Sequence, residues 1–140
     1  MREKGPLDDY SAIVLHHMHN PRNWGIIDNS DGYGRITGTC GDTMEISLRV
    51  KGDVITHCTF DTDGCGATVA CGSIVTELVT GMTVAEAMRI DGKAILSYCQ
   101  GLPRKNEHCA DLAVNTLHKA LGEYRHTKAA PWKKLYRTHR

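Results

Sequence analysis

The chain has 140 residues, 41% of them hydrophobic, and a formal net charge of +1, which is one domain's worth of sequence with enough apolar material for a core without disulfide staples. All sixteen acids lie at or before Glu123, and six of the seventeen Lys and Arg residues lie from Arg125 onward; this separates a mildly acidic domain, 1–124, from a basic C-terminal tail, 125–140, read as a solvated segment and not as a nucleic-acid surface. The start, MREKGPLDDY, has no apolar signal core and no run is long enough to span a membrane, so the expected setting is cytoplasmic and reducing, where six cysteines point to metal binding or thiol chemistry and away from disulfides.

Tyr10, Ile13, Val14, His17 and Met18 recur at helical spacing, Asp8 and Asp9 suit the start of that helix, and Pro21 in "NPRNWG" ends it. A polar loop, 28–34, leads into three strand-like runs at 34–39, 43–51 and 54–62. The second places Met44, Ile46, Leu48 and Val50 on one face, the third Val54, Thr56, Cys58 and Phe60, and Lys51-Gly52-Asp53 makes the turn between them. From Gly66 the period becomes helical, with Ala67, Ala70, Cys71, Ile74, Val75, Leu78 and Met82 in one stripe and Gly81 at its end. "TVAE" at 83–86 is a capping box, Asp91 caps a short helix reaching Cys99, and "GLP" at 101–103 breaks the chain. The last helix carries Cys109, Leu112, Ala113, Thr116, Leu117, Ala120, Leu121 and Tyr124, with Asn106 as its cap. The predicted class is α+β: a three-stranded antiparallel meander with helices packed on one face.

Period sorts the thiols. Cys58 falls on the apolar face of its strand and Cys71 lies in the helical stripe, so both read as small buried hydrophobes; Cys99, at the end of a short helix, reads as core or half-buried. Cys40 in "GTCGD", Cys65 in "DGCGAT" and Cys109 sit instead at element ends. The last two lie at helix starts, where backbone N–H groups favour the thiolate, the form that acts as nucleophile and metal ligand. Gly41, Gly64 and Gly66 leave room for an inorganic group beside the backbone. Asp42 follows Cys40 by two and would share its side in an extended segment. His108 adjoins Cys109, and the two reach one centre only if the first helical turn is loose. His16, His17, His19, His57, His118, His126 and His139 show no ligand spacing.

Three thiolates with one oxygen or nitrogen ligand bind Zn²⁺ or an iron–sulfur cluster. A carboxylate in place of a fourth thiolate is a harder, weaker ligand for such iron, and suits assembly followed by release better than electron transfer. No CxxC pair is present, which argues against a thioredoxin-like dithiol and an ordinary zinc ribbon. "NPRN" at 20–23, "CGD" at 40–42, "GCG" at 64–66, "VTELVTGM" at 75–82 and "LPRKNEHC" at 102–109, in that order and spacing, resemble the U-type iron–sulfur scaffold family, IscU and the amino-terminal domain of NifU, from Tyr10 to Tyr124.

The resemblance implies a SufE/NifU-like α+β fold and an assembly scaffold, not a turnover enzyme. On it a transient [2Fe–2S] cluster is built from ferrous iron (Fe2+) and sulfur, with Cys40, Asp42, Cys65, His108 and Cys109 as the cluster- and metal-binding residues. It implies a cysteine desulfurase of the IscS/NifS kind that delivers persulfide sulfur to Cys109, an electron donor such as ferredoxin, and apo iron–sulfur proteins as recipients. Zn2+ is a further expected occupant on isolation. Many bacterial relatives offer an "LPPVK" segment to an Hsp70-type chaperone; Leu102-Pro103-Arg104-Lys105-Asn106 lacks its second proline and final lysine, which puts that partnership in doubt. Cys71 stands where relatives often have serine, and Arg125 to Arg140, with Trp132 and Tyr136, lies outside the resemblance.

Two other readings remain. A zinc-bound, SufU-like sulfur shuttle would use the same three cysteines and aspartate, but such proteins carry an insertion between the second and third, and none is evident from Cys65 to Cys109. A structural zinc module would need buried, closed ligands, which the Gly-flanked turns argue against.

Overall fold

A computed structural model describes residues 9–132 of the chain. At its centre, β2 (Thr43–Lys51) and β3 (Val54–Thr62) are joined by Gly52 and Asp53, both at positive φ (58° and 61°), as a type I′ hairpin turn requires. β1 (Gly32–Thr37) pairs antiparallel with β2, giving the order β1-β2-β3 of the expected meander. β1 starts and ends earlier than the run at 34–39 suggests. The chain turns at Gly38, whose N–H donates to the Asp42 carbonyl at 2.7 Å.

Met44, Ile46 and Leu48 are fully buried as the alternation predicts. On β3 the pattern breaks: Ile55, not Val54 or Thr56, is buried with Cys58 and Phe60. Arg49 pairs with His57 but Val50 with Ile55, so Thr56 is an extra residue in the ladder, and such a bulge exchanges the two faces of the strand. Cys58 is 1% exposed and burial alone pushes its thiol far up, as a core residue's should be. Cys58→Ala is expected to lower unfolding free energy by about 1 kcal/mol, checked by denaturant titration.

Gly34, Ile46 and Phe60 are successive cross-strand partners and therefore share a face. On that face lie α2 (Gly66–Val79), packed on β3, and α5 (Glu107–Ala129), packed across β1 and β2. α2 is buried nearly all round, including Gly72, Ser73 and Thr76, because α1 (Ala12–His19) and α5 also pack on it. α3 (Val84–Met88) opens on the predicted capping box of Thr83 and Glu86, and α4 (Gly92–Tyr98) on the predicted Asp91 cap. Among the described residues no helix is long and apolar enough to cross a membrane.

Three helix ends differ from expectation. Ser11, not the acids before it, caps α1 by accepting the Val14 N–H; Asp8 lies outside the described residues. Asn106 stands at the cap position of α5 but gives no cap bond, because its Oδ1 accepts from Tyr10 Oη at 3.0 Å. α5 also runs past Tyr124 to Ala129, with Tyr124 Oη and Lys128 Nζ both donating to the Asp53 carboxylate in the hairpin turn, at 2.8 and 2.6 Å. The remainder of the basic segment, 133–140, with Tyr136 and His139, lies outside the described residues.

The "NPRN" segment is structural. The Arg22 N–H donates to Ser73 Oγ at 2.8 Å and Asn23 Nδ2 to Thr76 Oγ1 at 3.2 Å, which fixes the segment to α2. The Asn23 carbonyl then accepts from the Phe60 N–H at 3.0 Å, covering part of the β3 edge.

Candidate functional site

Two loops and one helix start meet at the end of the sheet. The loop between β1 and β2 carries Cys40 and Asp42. It folds tightly because Gly41 adopts φ +87°, a left-handed conformation that favours glycine. The loop after β3 carries Cys65 and lies alongside: Asp63 Oδ1 accepts the Thr43 N–H at 2.8 Å, and Thr62 Oγ1 donates to the Thr43 carbonyl at 2.6 Å. Cys65 is the N-cap residue of α2. The third piece, His108 and Cys109, opens α5 directly after a 3-10 turn at Arg104–Asn106. Tyr10 holds Asn106, and Ser11 Oγ donates to the Cys99 carbonyl at 2.6 Å, so the entry to α1 braces both ends of that connection. Leu102, in the segment that departs from the chaperone motif, is itself nearly buried.

All five predicted site residues fall in one chain of contacts. Cys40 Sγ lies 3.2 Å from His108 Nε2, and that nitrogen lies 3.8 Å from Cys109 Sγ. Cys109 Sγ lies 3.4 Å from Thr68 Oγ1, which donates to Asp42 Oδ2 at 3.1 Å and lies 3.7 Å from Cys65 Sγ. His108 and Cys109 lie in the first turn of α5, after the 3-10 turn and Glu107, and His108 Nε2 stands between the sulfurs of Cys40 and Cys109. Among the described residues, however, no three His, Cys, Asp or Glu side chains are gathered to hold a metal ion as they stand. Cys40 and Asp42 do not share a side as an extended segment would have them: the turn at Gly41 sends Cys40 to His108 and Asp42 to Thr68.

The thiols differ in reactivity. Cys40 and Cys65 are exposed, whereas Cys109 is 1% exposed. At Cys65 partial burial opposes the thiolate, but hydrogen bonds led by the Thr68 N–H, with the Ala67 N–H beside it, favour it, and the pKa lies below that of an ordinary thiol. At Cys109 burial is the largest effect and the pKa rises. The expectation that both helix starts favour a thiolate therefore holds at Cys65 and fails at Cys109, where desolvation is the larger effect. Burial pushes Cys71 and Cys99 up as well, and both are fully buried, in line with a core role.

Sequence reasoning missed Thr68. Its only signal is a hydroxyl residue three positions after Cys65, on the helical turn that follows a site cysteine.

Fold and site together make this an α+β domain with three free thiols, a carboxylate and an imidazole at the ends of its elements, two of the thiols open to solvent. The comparison with known proteins narrows this. Residues 9–131 match the family described as NifU-like N-terminal domain, and the chain belongs to that family. It is 40% identical over 116 residues to an iron–sulfur cluster assembly scaffold protein, IscU 1, of Archaeoglobus fulgidus, covering 82% of this chain and 76% of that protein. To the IscU scaffold protein of Escherichia coli it is 36% identical over 126 residues, covering 86% and 98%. Among solved structures, a NifU-like N-terminal protein from Brucella abortus superposes with a TM-score of 0.71 at 16% identity, covering 86% of this chain and 96% of that one. A SUF-system assembly scaffold protein from Fervidobacterium islandicum gives 0.66 at 22%, covering 84% and 99%; at these identities both likenesses speak for the fold.

Proposed function

We propose that this chain is an iron–sulfur cluster assembly scaffold that builds a labile [2Fe–2S] cluster and passes it to apo-proteins. The observation that carries this is the single contact chain joining Cys40, His108, Cys109, Asp42 and Cys65 from three separate elements. The named relatives support the same reading. Soft sulfur ligands hold iron and sulfide, while the harder Asp42 oxygen or the His108 imidazole completes the site and keeps it exchangeable.

Sulfur reaches the site from a cysteine desulfurase carrying a persulfide. The Cys109 thiolate attacks the terminal sulfur, an S–S bond forms on Cys109, the donor's S–S bond breaks, and the donor leaves as a thiolate. Two electrons from a reductant such as a ferredoxin then release sulfide and restore the Cys109 thiolate. Because Cys109 is buried, its neighbours must move before the donor reaches it. The six free cysteines suit a reducing cytoplasm.

The test is anaerobic. The protein is mixed with ferrous iron, cysteine, a reductant and a desulfurase, charge-transfer absorption is followed, and an apo-ferredoxin is added. A band that grows on this chain and then moves to the ferredoxin is the expected result. Sulfur on Cys109 with no band, and zinc retained, would establish the shuttle reading instead. Asp42→Ala is expected to slow cluster loss by about an order of magnitude, or ~1.4 kcal/mol in barrier, because the most easily displaced ligand is gone. Transfer half-times to apo-ferredoxin measure it, and an unchanged half-time refutes the role given to Asp42.

A further inference from the structure

Three of the five candidate donors of this site meet at one hydroxyl. Thr68 is completely buried, and its Oγ1 lies 3.1 Å from Asp42 Oδ2, 3.4 Å from Cys109 Sγ and 3.7 Å from Cys65 Sγ. A threonine has one proton to donate, and here Asp42 accepts it. Gly64 makes room for the pair, since a Cβ there would come within 2.7 Å of Thr68 Cβ and 2.9 Å of Asp42 Oδ2. Thr68 thus connects Asp42, Cys65 and Cys109 while no three metal-ligating side chains converge on one point among the described residues.

We propose that Thr68 is a positioning residue that holds the Asp42 carboxylate in a metal-free posture and receives it again when metal leaves. The proposal rests on the reading of Asp42 and the three cysteines as the metal-binding set. Thr68 occupies one of the two carboxylate oxygens, Oδ2; for Asp42 to ligate through that oxygen, or through both, it must leave the hydroxyl, which is then left with sulfur, a weaker acceptor. The hydroxyl therefore weakens the hold on metal and gives the departing carboxylate a ready partner. It sets the exchangeability of the site without touching the metal itself.

Thr68→Val keeps the shape and removes the hydroxyl; Thr68→Ser keeps the hydroxyl. Zn²⁺ alone serves as the probe, with affinity measured by chelator competition on the full chain and release followed after a chelator chase. Thr68→Val is expected to bind Zn²⁺ about ten-fold more tightly, the scale of one net hydrogen bond to a charged group, and to release it correspondingly more slowly. Thr68→Ser should match the parent, and in an Asp42→Ala background the effect of Thr68→Val should vanish. A residue that served structure alone would instead loosen the site, so equal or weaker binding by Thr68→Val overturns the proposal. The site reading survives that result if Cys40→Ser still loses Zn²⁺. If the Cys40, Cys65 and Cys109 serine variants all bind Zn²⁺ like the parent, the site reading falls and this proposal with it. Should Thr68→Val fail to fold, Thr68→Ala gives the same comparison.

Discussion

Cys109→Ser is expected to abolish cluster formation while leaving the fold within about 1 kcal/mol of the parent, since serine conserves nearly all the volume of cysteine. The Cys109 side chain sits at the start of α5 between the Thr68 hydroxyl and the His108 ring, 3.4 and 3.8 Å from its sulfur. A serine oxygen can bond to both, so local structure has no reason to change. The chemistry does change, twice over. A hydroxyl cannot form the persulfide that receives sulfur, and it is a hard ligand where iron bridged by sulfide wants a soft one. The anaerobic assembly reaction measures the loss and a denaturant melt the fold. Cys58→Ala is the control: it loses some stability and retains assembly. A Cys109→Ser protein that still builds a cluster at the parent's rate would remove Cys109 from the reaction, and Cys65, exposed and with its pKa lowered by neighbouring N–H groups, would become the acceptor.

The elements of the fold were legible where a local rule decides. The hairpin β2–β3 and the capping box at Thr83 and Glu86 match the sequence expectation because turn chemistry and side-chain caps act within a few residues. The expectation failed where a distant partner decides. The bulge at Thr56 follows from the register with β2, which no alternation within one strand can reveal. Asn106 does not cap α5 because Tyr10, far away in sequence, takes its side-chain oxygen. α5 outruns Tyr124 because Asp53 holds Tyr124 and Lys128 from across the sheet.

The candidate site divides in the same way. Element ends single out Cys40, Cys65 and Cys109, the first two beside glycine, and in the structure His108 and Thr68 link them. What the sequence hides is depth. Cys109 and Cys65 both sit at helix starts, yet one is buried and the other exposed, a difference set by what packs around each start and not by position along the helix. Thr68 was invisible for a related reason. Its role depends on the Asp42 carboxylate, contributed by a hairpin loop from another part of the chain.

Gly34→Ala is expected to cost about 3 kcal/mol, the upper range for overpacking, and to disable the site at a distance. α5 lies directly on β1: a Cβ at Gly34 would come within 2.6 Å of the Thr116 carbonyl oxygen and 2.7 Å of the Ala120 nitrogen. Both are backbone atoms inside a helix, so no rotamer change relieves the clash and α5 must lift from the sheet. The same helix carries His108 and Cys109 at its start, whereas Cys40 belongs to the β1–β2 loop and Thr68 to α2. Lifting α5 therefore pulls Cys109 from Thr68 and His108 from Cys40, and a contact chain of 3.2 to 3.8 Å links tolerates little of it. Gly122, on the same helix, offers the contrast. A Cβ there meets nothing within 4 Å, so Gly122→Ala gains helix propensity and should add about 0.5–1 kcal/mol with assembly unchanged. Denaturant melts and the anaerobic assembly assay on the two variants separate the readings. If Gly34→Ala is as stable as the parent and assembles a cluster normally, α5 is not seated on β1 as described, and the positions of His108 and Cys109 would have to come from the turn that precedes them.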